Sequence, residues 1–247
     1  MDRYVVITND AFRAMVISAL EGYLVPHGRR VNANEHRPVE TYGTLWGFIT
    51  HKPKTEELIY QITLADIDSS AYRAAESVTE KDLAIRIKSA YLDKFNPELH
   101  YLGDFHSHPW HKDYDLQEHP YVKSAQMLEQ GRTIEGGRPY QFSEQDFGWV
   151  RSLRAAGRDY RIGVVVTIYQ MANLIRDTST VYLDGHSAIR FTYNGPDASE
   201  KERSFRIWIK AYVYDERDDT QKDSPVDDKD VILICPAIGK RLTGEAG

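Results

Sequence analysis

Residues 99–109 read LHYLGDFHSHP. Aromatic and aliphatic residues crowd this stretch, which predicts a strand, and Pro109, unable to donate to a ladder, predicts where it ends. A strand turns alternate side chains to one face, so His106 and His108 are delivered to the same side. Taken alone, a His-x-His pair is weak evidence for a metal. Solvated or hydrogen-bonded histidines are the commoner explanation.

The neighbouring segments decide what kind of sheet this strand enters. Upstream, Leu83, Ile87, Tyr91 and Phe95 recur at four-residue steps, with Thr79 and Asp82 as an expected capping box and a stop near Asn96–Pro97. Downstream, residues 110–142 are rich in His, Asp, Glu and Gln, with one short helix expected over 121–130 and a turn at Gly136–Gly137; they read as an insertion over a surface. FSEQDFGWVRSLRAAG (142–157) then predicts a helix capped by Ser143. RIGVVVTIYQ (161–170) is continuously apolar, as suits a central strand covered on both faces.

Closer to the N-terminus, Phe12, Val16, Ala19, Leu20 and Tyr23 predict a helix over 10–24, and Tyr42–Thr50 and residues 57–67 predict two antiparallel strands. Beyond residue 176, SAIRFTY (187–193) and SFRIWIKAYVY (204–214) alternate like strands, with Phe205, Ile207, Ile209, Ala211 and Val213 on one face. An acidic loop over 215–230 follows, and VILIC (231–235) is expected at an edge. The reading is an α/β fold with a mixed sheet and flanking helices: a domain over 1–175 interrupted by 110–142, and a C-terminal β extension over 176–247 packed on the same domain.

Composition narrows the chemistry. The 247 residues carry 31 Lys plus Arg against 37 Asp plus Glu, a net charge of -6, which argues against a nucleic-acid coat. The single cysteine, Cys235, excludes an internal disulfide and a cysteine-based zinc site. Any metal must be held by histidine and carboxylate. The opening twenty residues lack the apolar run of a signal peptide, and no stretch approaches a membrane span, so the expected location is the cytoplasm. Trp46, Trp149 and Trp208 are expected to pack in the core or sheet.

A hydrolytic zinc site needs three nitrogen or oxygen ligands, one position left for water, a nearby carboxylate to move protons and a donor for the oxyanion. The sequence offers all of these: His106 and His108, then Asp146 as third ligand, Glu40 at the mouth of the first strand as general acid/base, and Ser143 one helical turn ahead of Asp146 as oxyanion donor. His119, Asp113 and Asp115 in the insertion are alternative third ligands.

Together, VETYGTLWGF (39–48), LGDFHSHP (102–109) and FSEQDF (142–147) make the chain resemble the JAMM (MPN+) zinc metalloproteases over roughly residues 8–172. The family pattern is a Glu ahead of a glycine-punctuated strand, then H-x-H-P, then S-x-x-D. Here the last two are separated by the 110–142 insertion, where most members have a handful of residues. The resemblance implies a cytidine-deaminase-like α/β fold, Zn2+ on His106, His108 and Asp146, Glu40 as acid/base and Ser143 as transition-state donor. It also implies cleavage of the isopeptide or peptide bond after the tail of a ubiquitin-like protein, as in enzymes of bacterial ubiquitin-like pathways. Two alternatives belong to other classes: a non-catalytic MPN-type scaffold, and a zinc amidase of a small substrate.

Overall fold

The computed structural model describes residues 2–25, 38–73, 78–79, 82–110, 142–170, 180–183, 186–193, 203–214, 225 and 230–237. The expected helix at 121–130 and the Gly136–Gly137 turn lie outside the described residues, as do His111, His119, Asp113 and Asp115.

Strand β1 (Arg3–Ile7) leads into helix α1 (Asn9–Leu24), whose N-cap Thr8 accepts a hydrogen bond from the Ala11 amide. Ala11, Met15, Ala19 and Tyr23 form its buried stripe. Strands β2 (Tyr42–His51) and β3 (Leu58–Ile67) pair antiparallel, as their short connection predicts. Two short strands, β4 (Tyr72–Arg73) and β5 (Val78–Thr79), make a separate ladder. Helix α2 (Asp82–Phe95) follows, and Thr79, expected to begin its capping box, pairs with Tyr72 in that ladder. Its Leu83, Ile87, Tyr91 and Phe95 row is helical but faces solvent. The helix is held by its other side, through buried Leu92 and a 2.9 Å ion pair from Lys88 to Asp66.

Strand β6 (His100–Trp110) carries the histidine pair, helix α3 (Glu144–Ala155) starts directly after Ser143, and β7 (Ile162–Gln170) lies parallel to β6. Pro109 does not end β6. It pairs with Ile168 of β7, while β2 begins only opposite His106, so the proline's missing donor falls where one flank of the ladder has stopped. Strands β8 (Thr180–Leu183), β9 (His186–Tyr193), β10 (Arg203–Val213) and β11 (Val231–Ile234) complete the chain.

Among the described residues, nine strands form one mixed sheet in the order β11-β1-β3-β2-β6-β7-β10-β9-β8. The architecture is α/β. The C-terminal strands flank both sides of that sheet: β10 pairs with β7 over Phe205–Val213, and β11 forms the edge beside β1. The face towards α1 is mostly apolar, with Phe105, Val164, Val166, Ile168, Phe205, Ile207 and Ile209 in one core. On the opposite face, α3 covers Val165 and Tyr212 with Val150 and Leu153. Trp46 and Trp208 are buried as expected; Trp149, on the outer side of α3, is 38% exposed.

A register shift between Leu45 and Trp46 sits opposite the Leu102–Gly103 step of β6. Gly103 has φ 148°, and its Cα lies so close to the Ile162 carbonyl that a Cβ would overlap it. This bulge lets Leu102 and Phe105, three positions apart, both enter the apolar core. Asp104, His106 and His108 then share the other face.

Candidate metal centre

His106 and His108 stand near the end of β6 with their Nε2 atoms 3.0 Å apart. The Asp146 carboxylate straddles them, Oδ1 at 3.3 Å from His106 and Oδ2 at 3.3 Å from His108. One ligand atom from each residue falls in a group no wider than 4.8 Å. His106 is buried, and the other two are partly so.

Asp146 reaches this point because of how its helix begins. The Ser143 amide donates to Asp146 Oδ2 at 2.6 Å, and the Ser143 hydroxyl donates to the same oxygen at 2.7 Å. The Asp146 amide in turn donates to Ser143 Oγ at 3.2 Å. This reciprocal capping box fixes the carboxylate at N3, and the positive end of the helix dipole favours its charge there. The predicted cap and its orientation are as the sequence indicates.

Glu40 is steered by a clasp at the next residue. The Ser107 amide donates to the Thr41 carbonyl at 2.9 Å, and the Thr41 amide donates to Ser107 Oγ at 2.9 Å. With Tyr42 paired to His106 and Thr41 to Ser107, one further step brings Glu40 level with His108. Its charge acts on His106.

The electrostatics follow from this crowding. Burial would lower the His106 pKa, but the Asp146 carboxylate, aided by Glu40 and Asp104, pushes it up to about 9. Burial would raise Asp146, yet the two imidazoles hold its carboxyl well below the usual carboxylate range. Three groups bearing lone pairs thus converge, and in the chain without metal a proton on His106 relieves their repulsion.

Three residues near the site carry no signal in the motif pattern. Asp104, buried, accepts from Tyr160 at 2.8 Å and from Tyr42 at 3.3 Å. Burial, then the charge of Asp104, raises the Tyr160 hydroxyl well above its ordinary pKa, so it remains a donor. Phe142, just ahead of Ser143, packs its ring 5.2 Å from that of His106. The alternation that pairs the histidines also places Asp104 beside them; nothing local in the sequence indicates Tyr160 or Phe142.

A tetrahedral ion with bonds of 2.0–2.1 Å keeps its ligand atoms about 3.3 Å apart. The imidazole nitrogens stand 3.0 Å apart and each meets a different carboxylate oxygen at 3.3 Å, while one atom from each residue falls within 4.8 Å of the others, a span that a bound ion would draw together; two nitrogens with one carboxylate suit a divalent borderline metal. The group can hold a metal ion. No protein-family model matches the chain, and no curated protein matches it. Among the described residues, no helix is long and apolar enough to cross a membrane.

Proposed function

We propose that this chain is a zinc hydrolase of the JAMM (MPN+) type, cleaving the isopeptide or peptide bond after the tail of a ubiquitin-like protein in a cytoplasmic setting. The observation that carries this reading is the convergence of His106, His108 and Asp146 on one face of the sheet, one ligand atom from each within 4.8 Å of the others. The mixed sheet, with α1 on one face and α3 on the other, is compatible with the MPN fold. Glu40 in the adjoining strand entry adds the acid/base group that a bare metal-binding scaffold does not need.

When bound, zinc supplies Lewis acidity and makes a water more acidic. The remaining work falls to side chains. The Glu40 carboxylate takes the proton of the attacking water and hands it to the leaving amine nitrogen. His106 and His108 present neutral Nε2 atoms as ligands, so loading displaces the proton that His106 holds. Asp146 is held as a carboxylate by its capping box. The Ser143 hydroxyl, which donates to Asp146 Oδ2, turns its proton towards the oxyanion as the scissile carbonyl becomes tetrahedral. An extended tail lies against the sheet as an added strand.

Purified protein should contain about one zinc per chain, and Glu40→Gln should keep the metal while losing cleavage of ubiquitin-like fusion proteins. Full activity in that variant overturns the mechanism. Turnover of small amides with no cleavage of any fusion replaces the substrate class.

A further inference from the structure

We propose that Tyr212, in the C-terminal strand β10, is a positioning residue of the metal centre, holding the Asp146 limb against the sheet. The inference rests on the zinc reading above. The Tyr212 hydroxyl accepts a 2.9 Å hydrogen bond from the Phe142 amide, the residue directly before the capping box that orients Asp146.

The contact is an enclosed aromatic one. The Phe142 ring lies 4.1 Å from that of Tyr212, and Phe147 of α3 closes on both, at 5.6 Å from Phe142 and 5.8 Å from Tyr212. The other edge of Phe142 meets His106. Space for the ring exists because Gly163, paired with both Asp104 and Tyr212, has no side chain; a Cβ there would strike the Phe142 ring. Tyr212 and Phe142 are both buried.

The line of force is short. Tyr212 fixes the Phe142 amide, Phe142 leads into Ser143, and Ser143 binds the carboxylate that faces the two imidazoles. Val150 and Leu153 anchor the later turns of α3, whereas its first turn is tied to the sheet through Phe147 and, just before it, Phe142. Groups that orient metal ligands typically change affinity by roughly 10–100-fold when removed. The C-terminal strands are thereby part of the centre's architecture, although none supplies a ligand in the triangle.

The test uses the full chain and zinc itself. Tyr212→Phe keeps the rings and removes the acceptor; its zinc affinity, read by chelator competition, should fall at least about tenfold, and its cobalt(II) absorption bands should shift. Tyr214→Phe removes a second buried phenol from the same cluster, while the Phe142 amide bonds the hydroxyl of Tyr212, and should leave affinity unchanged. An unaltered affinity in Tyr212→Phe, or an equal loss in both variants, overturns the proposal. In the wild-type chain the Phe142 amide should exchange with solvent as slowly as the β7 amides, a measurement independent of any variant's folding; exchange at the rate of an exposed amide overturns it as well. Absence of zinc uptake by the wild type removes the zinc reading and this inference together. Wild-type uptake with an insensitive Tyr212→Phe removes this inference alone.

Discussion

The two faces of the sheet are made by the same strands to opposite ends. Towards α1, β6, β7 and β10 present almost entirely apolar side chains, with Ser107, which clasps Thr41, the buried polar exception on β6, so that face contributes mainly hydrophobic burial. Towards α3, the same strands present Asp104, His106, Thr167, Trp208, Lys210 and Tyr212, all buried. Polar groups so enclosed need specific partners, and each partner found here adds direction. One face sets how stable the chain is; the other sets what it can hold. Strand alternation keeps the two tasks in separate layers.

Predictions that break or sharpen this contrast can be ordered by size. Phe105→Ala empties the apolar layer behind the histidines and should lower unfolding free energy by about 3–5 kcal/mol in denaturant titration; a loss under about 1 kcal/mol erases the distinction between the faces. The next effect is one of sign. Because the His106 pKa is raised, its stabilising contribution in the chain without metal is full below the unfolded value near 6.5 and is lost as pH rises through about 9. Zinc must displace that proton, so its affinity should rise about tenfold per pH unit over the same window. Melting temperatures should therefore fall with pH under chelator and rise with pH in excess zinc. Parallel trends contradict the assignment of His106 as a ligand.

Smaller effects test the periphery. Ser143→Ala removes one side of the capping box and should cost about 0.5–2 kcal/mol of metal-free stability, measured by chemical unfolding. Ile87→Ala, in the solvent-facing row of α2, should change stability by no more than about 0.5 kcal/mol. A larger loss there would mean that this row is covered in solution.

Much of this was legible in the sequence. Alternation in 99–109 places the imidazoles together, helical spacing and Ser143 start α3 at the observed residue, and the apolar run at 161–170 is central. Periodicity reports that a helix has an apolar row but not whether a partner covers it, which is why α2 differs from α1 although both are amphipathic. Strand β1 is too short for a decisive pattern, and β4 and β5, two residues each, offer no alternation that would mark Thr79 as a strand residue. Tyr212 and Tyr160 escape sequence reading altogether. A phenol far along the chain becomes part of the site only through sheet order, and strand order is not written in local spacing.

The bulge at Gly103 carries a consequence for parity. It resets the odd and even positions of β6 immediately before the histidines, so the strand's two sides are defined from that point onward. Deletion of Asp104 alone would exchange them. Both imidazoles would then turn into the oil beneath α1, and Phe105 would turn out among the acids. The most damaging lesion to this centre is thus a frame error that removes none of its ligands.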